Sequence, residues 1–273
     1  MFFLGHGPVP SPALDIEAGY FRAGLFPAAK LVKTAREREK MMIDFKPWMI
    51  VLALAASGYA GAAQADALQD QVLATARATR SDLYAFRRTV AIERTGVARQ
   101  VFVEQFDPRK PAGQQWLLAS VDGHAPVAKD LDAWRKGDRG PVPSYNQLAK
   151  WFGGAATRSD GAQGYVTYRF ARLPAGALKI GSHDASADTQ AEALVNTQGR
   201  FPFVERVRLV STKAFRMMLV ASVQSMATSG HYRLQSDGPP VPAESSSRIV
   251  GALFGKDQTI QAVATYSDFQ KVR

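Results

Sequence analysis

Cysteine is absent from all 273 residues, and with it go disulfide cross-links, a thiol nucleophile, a thiolate metal site and a lipidated cysteine anchor. No apolar run reaches the ~20 residues that a membrane-spanning helix requires; the strongest, Pro47 to Ala56, covers about half of that. The common catalytic templates are missing too: no Gly-x-Ser-x-Gly elbow, no His-Glu-x-x-His helix, no Walker phosphate loop and no Gly-x-Gly-x-x-Gly after a strand. Acidic residues fall short of basic ones, 24 against 34, for a formal charge of +10. The basic residues are scattered and carry no RNP-type aromatic motif, so the excess points away from nucleic acid. It suits solubility and transient contact with an anionic membrane surface. A hydrophobic content of 46% is enough for one substantial core or two small ones.

What is present begins with an ordered N-terminal series. Lys46 follows Met41 and Met42, an uncharged apolar run extends from Pro47 to Ala56, and the small-residue site Ala63-Gln64-Ala65 closes it. That order predicts a cleavable secretory signal peptide over residues 42–65, cleaved near Ala65. Residues 1–41, with the charged string Arg36 to Lys40, then read as a non-structural extension or, alternatively, as an amphipathic leader. A single domain is expected over residues 66–273.

That domain opens with a short helix. Asp66 is its cap, Gln69 stands three residues on, Arg77 and Arg80 complement its C-terminal end, and Leu68, Val72 and Ala76 form its apolar stripe. From Leu83 the period changes to two, with Tyr84, Phe86, Val90 and Ile92 on one face. Thr95-Gly96 turns this strand into a second, Val97 to Phe106, and a third follows around Gln115 to Val121, making a meander. A helix with Val127, Leu131 and Trp134 at i, i+4 and i+7 ends at Gly137. A second, capped by Ser144, carries Tyr145, Leu148, Trp151 and Phe152. Strands resume at about 165–173, 191–196, 203–211, 217–228 and 231–235. After a Pro- and Ser-rich loop at 237–247, the last two are expected at 249–254 and 258–266.

These elements predict an α+β fold: a large curved antiparallel sheet of nine or ten strands, an open, unclosed barrel, with an N-terminal helix and a helical pair on one side. The order of elements, with stretches such as Phe106-Asp107-Pro108 and Tyr266-Ser267-Asp268-Phe269, resembles the periplasmic outer-membrane lipoprotein carrier superfamily (LolA/LolB-like). The resemblance implies a soluble periplasmic carrier for acyl chains or a lipidated protein, with a helical lid over an apolar cavity. The membrane-anchored branch of that superfamily carries a lipidated cysteine, which this chain lacks. Arg88, in phase with Phe86 and Val90, matches the strand arginine that such carriers use to hold the lid; the alternative is an arginine near a strand end, reaching out to water.

Candidate cavity-lining residues are Phe86, Arg88, Val90, Trp116, Leu118, Tyr168, Phe170, Met217, Met218, Val220 and Met226, with Leu148, Trp151 and Phe152 on the lid. Methionines suit a surface that accepts variable ligands. Each of these apolar positions is also compatible with plain core. Ser182-His183-Asp184 holds triad residue types, but adjacent positions point in different directions. Asp122-Gly123-His124 reads as a polar turn in preference to a metal site. No catalytic residue, metal site or cofactor is expected. Two other readings stay open: a cell-envelope protein-interaction or assembly factor without a small-molecule ligand, and an envelope hydrolase with a dispersed site.

Overall fold

Strict alternation of side chains decides which face of the sheet is covered and which is wet. In Tyr84–Arg94 (β1), Phe86, Arg88, Val90 and Ile92 are buried, while Arg87 and Glu93 on the other face are exposed. The computed structural model describes residues 66–272 except 138–141, 163, 181–182 and 219–220, so the expected extension and signal peptide lie outside the described residues. Val220 and the side chain of Met218 do too.

The chain runs α1 (Ala67–Ala78), β1, β2 (Val97–Phe106), β3 (Trp116–Val121) and α2 (Ala128–Lys136), then a 3-10 helix, Tyr145–Lys150. There follow β4 (Thr157–Asp160), β5 (Tyr165–Phe170), a small hairpin of β6 (Lys179–Ile180) and β7 (His183–Asp184), and a 3-10 turn, Ser186–Asp188. The last strands are β8 (Thr189–Asn196), β9 (Phe203–Ser211), β10 (Phe215–Met218), β11 (Ala221–Leu234), β12 (Pro240–Leu253) and β13 (Lys256–Lys271). Eleven of them form one antiparallel sheet in the order β3-β2-β1-β13-β12-β11-β9-β8-β5-β4, with β10 on β11. The first and last strands pair, but β3 and β4 remain edges. The architecture is the expected α+β fold, an open curved sheet with its helices on one side.

Local chemistry explains the helices. Asp66 Oδ1 accepts from Leu68 N at 3.0 Å and Gln69 N at 3.4 Å, capping α1, whose Val72, Leu73 and Ala76 are buried. Gln69 Nε2 donates to the carbonyls of Phe152 and Gly154 at 2.6 and 2.7 Å, tying α1 to the end of the segment after Tyr145. That segment, expected as an α-helix, is a six-residue 3-10 helix. Its Tyr145 is fully buried, and the phenol oxygen accepts from Val204 N at 2.8 Å.

Three expectations need correction. Val127 caps α2 from outside instead of joining its covered stripe and is 61% exposed; only Leu131 and Trp134 of that stripe are half-buried. The break placed between 228 and 231 does not exist, because β11 runs through Gly230, paired with Val207 and Ser245. The Pro- and Ser-rich loop is for the most part strand β12. Pro240 opens it and Pro242 sits at a bulge opposite Tyr232, both places in a sheet where a missing N–H is tolerated.

Leu253 pairs with Lys256, so Phe254 and Gly255 form a two-residue turn in which both have positive φ, 50° and 75°. Gly-rich or Asn-Gly turns fit this geometry; a phenylalanine there costs about 1 kcal/mol, and this one is 65% exposed. Phe254→Asn is expected to stabilise the fold by about that amount, read as a raised urea midpoint with an unchanged slope.

Candidate functional site

Two neighbouring strands each place a charge among apolar side chains on the covered face. Arg88 of β1 is 1% exposed and Glu104 of β2 is 0% exposed, and they are direct cross-strand partners. Nε of Arg88 donates to Glu104 Oε2 at 2.9 Å and Nη2 lies 2.8 Å from the same oxygen. Glu104 Oε1 accepts from Trp134 Nε1 of α2 at 2.5 Å, and the guanidinium lies 4.2 Å from the Trp116 ring centroid. Both carboxylate oxygens are thereby occupied, one by the sheet and one by the helix above it. Arg88 does not reach out to water.

Around this pair stands an aromatic wall. Phe86 is its hub, with ring centroids of Phe106, Trp116, Tyr266 and Phe269 at 5.2 to 6.0 Å. A second wall rises on the far strands, where Phe152 lies 5.5 Å from both Tyr168 and Phe170, and Trp151 5.4 Å from Phe170. Between β1 and β5 run β13, β12, β11, β9 and β8, and the middle of this span is β13, β12 and β11, about 14 Å across. Register fixes what they present on the covered face: Ala264, Ser245 and Gly230 in one row, Ala262, Ser247 and Thr228 in the next. Six small residues therefore floor a trough. Ala262, Ser247, Thr228 and Gly230 are only half-buried, although they point to the covered side. The trough ends on one side at the row Ile260, Ile249 and Met226.

The sequence candidates divide between these walls. Phe86, Val90 and Trp116 belong to the first cluster, with Leu118 opposite Glu104 at its edge. Tyr168, Phe170 and Met226 belong to the second, and Met217 packs against it half-buried. Val90 and Tyr168 share one cross-sheet row but are six strand spacings apart, ~29 Å. Leu148, Trp151 and Phe152 are 2%, 6% and 0% exposed and pack with α1 in the second core; they form a wall, while α2 lies over the first. The helical pair is thus split between two cores.

Sequence reasoning missed Glu104, the role of Trp134 and the whole floor. The signal for Glu104 was its phase: Phe102, Glu104 and Phe106 alternate on one face, so a carboxylate stood where an apolar residue was due. The floor carried its signal in the run Ser245-Ser246-Ser247 and in Gly230, which had been read as a loop and a break.

On the opposite face, a cleft of ≈ 280 Å³ over β1, β2 and β13 is lined by Glu93, Arg99, Gln261, Thr89 and Thr265 besides three small apolar residues. Glu93 and Arg99 lie 3.3 Å apart there in solvent, which suits water and not an apolar guest.

Removing one member of a buried pair strands the other, at a cost of about 3–5 kcal/mol. Glu104→Leu is expected to lose that much in urea unfolding, and the double replacement Arg88→Met with Glu104→Leu to recover most of it. Trp134→Phe, which keeps the ring and removes the donor, should release α2 first, seen as lost hydrogen-exchange protection confined to Ala128–Lys136.

No protein-family model matches the chain, and no curated protein matches it in sequence. Among solved structures it is similar to a LolA superfamily protein from Nitrosomonas europaea, at 13% identity over 76% of this chain and 94% of that one, with a TM-score of 0.32.

Proposed function

We propose that this protein is a soluble binding or carrier protein that holds an acyl chain, free or attached to a lipidated protein, in the trough between the two aromatic walls. The floor of Gly230, Ser245, Ala264, Thr228, Ser247 and Ala262 carries the reading. A sheet face meant only as core fills its centre with Leu, Ile and Phe. Here the large residues stand at the sides and the centre is small: Ser245 and Ala264 are buried, while Ala262, Ser247, Thr228 and Gly230 are partly exposed. Each methylene buried in it contributes ~0.8 kcal/mol, so a dozen give useful affinity without polar help.

Export fits this role. The signal peptide expected at residues 42–65 delivers the domain across the inner membrane, and a periplasmic carrier moves a hydrophobic guest between two membranes. Among the described residues no helix is long and apolar enough to cross a membrane. The net positive charge favours brief contact with an anionic bilayer, where such a guest is collected or released.

Native mass spectrometry with lipid extraction, on protein purified from the periplasm without detergent, tests this. A bound acyl species is expected, lost on Ser247→Phe or Ala262→Phe with folding retained, because a large side chain on the floor fills the trough. Substitutions at Trp151 or Phe152 are poor tests, since both lie in packed core and their loss unfolds the protein. A bare polypeptide mass, with no uptake of offered phospholipid or lipopeptide, would move the assignment to a protein-interaction factor.

A further inference from the structure

β1 carries a second arginine on the covered face. Arg94 keeps the phase of Ile92 along β13, where it pairs with Ile260 just as Ile92 pairs with Ala262. It therefore stands beside the row Ile260, Ile249 and Met226 that bounds the trough, and diagonally, at about 7–8 Å, from Ala262 of the floor. Its situation is the reverse of Arg88's. Arg94 is half-buried, its Nε is shut off from water, and that atom has no hydrogen-bond partner among the described residues. The carboxylate next to it in sequence, Glu93, points to the opposite face and is engaged with Arg99. Burial lowers its pKa, and no neighbouring acid offsets the effect.

A guanidinium stays charged in a protein, so this one bears a desolvation cost that nothing in the described chain offsets. A planar fork of donors at the end of an apolar trough is complementary to one ligand chemistry: an oxyanion at the head of a hydrocarbon tail. We infer that Arg94 is the headgroup site of the trough, and that the guest is an anionic amphiphile, carboxylate or phosphate outward at Arg94 and acyl chain inward over Ile260 and Ala262. This deepens the carrier reading and rests on it. Carboxylate and phosphate heads share the chemistry; the probes below separate them.

The test compares palmitate, hexadecyl phosphate and hexadecanol as competitors of a fluorescent fatty-acyl probe on the full-length mature protein, wild type against Arg94→Gln and Arg94→Lys. A hydrogen bond to a charged group is stronger than one between neutral groups, so an anionic head is expected to bind about 10-fold or more tighter than the alcohol. Arg94→Gln should bring acid and alcohol to within about 2-fold of each other while leaving hexadecanol binding intact, and Arg94→Lys should restore part of the preference. The ligand-free Arg94→Gln protein is expected to melt no lower than wild type, because it loses an unpaired charge and no partner. A stronger preference for hexadecyl phosphate than for palmitate supports the site and assigns a phosphate head. Equal binding of acid and alcohol by wild type overturns the headgroup site and leaves the carrier standing. No binding of any of the three overturns both.

Discussion

A sheet of eleven strands offers more face than two short helices, two 3-10 segments and a two-stranded hairpin can cover, and the rest of the molecule follows from that shortfall. Open edges at β3 and β4 keep the sheet from closing on itself, so its apolar face must be buried by whatever the chain lays over it. α1 and the segment from Tyr145 to Phe152 cover the strands around β5, β8 and β9, while α2 covers the meander of β1 to β3. The covers are thinnest over the middle of β11 to β13, at Gly230, Thr228, Ser247 and Ala262, which are partly exposed. Large apolar residues at those positions would be left facing water, and the sequence instead places glycine, alanine, serine and threonine there. Ile260 and Ala262 touch both clusters, so the two cores are one continuous surface with a shallow middle.

Within that arrangement, the Arg88–Glu104 pair specifies more than it stabilises. Two charges of opposite sign, each almost without solvent exposure, give little net energy once their desolvation is counted, but they exclude alternatives sharply. A one-residue slip of β2 against β1 would turn Glu104 to the outer face and leave Arg88 buried alone. Trp134 extends the constraint from the sheet to the helix: α2 buries no residue completely, so the hydrogen bond to Glu104 is its most specific attachment.

How much of this could be read in advance depended on whether the local pattern and the tertiary pattern agreed. Asp66 as a cap, β9 from Phe203 to Ser211 and the stop at Gly137 were legible, because capping chemistry, alternation and a terminal glycine each act over a few residues. β12 was hidden for the same reason. Locally, Pro240, Pro242 and three successive serines speak for a loop; only the neighbours on both sides, β11 and β13, make a strand of them. Gly230 misled similarly, since its lack of a side chain serves the floor and not a turn. Phase analysis could have found Glu104 but not its partner, since that Arg88 and Glu104 face each other is a matter of register. Most of the candidate residues are buried, Trp116 and Met217 only partly, and the floor between them went unnamed because small residues make no hydrophobic signal.

The two inward arginines of β1 show how a single strand divides structure from recognition. Alternation puts both on the covered face, six residues or ~20 Å apart, with Val90 and Ile92 between them. At one position the neighbouring strand supplies Glu104, α2 supplies Trp134 and β3 supplies Trp116, and the charge is spent inside the protein. At the other, the partners are Ile260 on β13 and Val97 on β2, and neither is a carboxylate. Arg94 Nε faces apolar neighbours and has no hydrogen-bond partner among the described residues. A charge without a complement among the described residues leaves room for one from outside, which is the basis of the headgroup proposal.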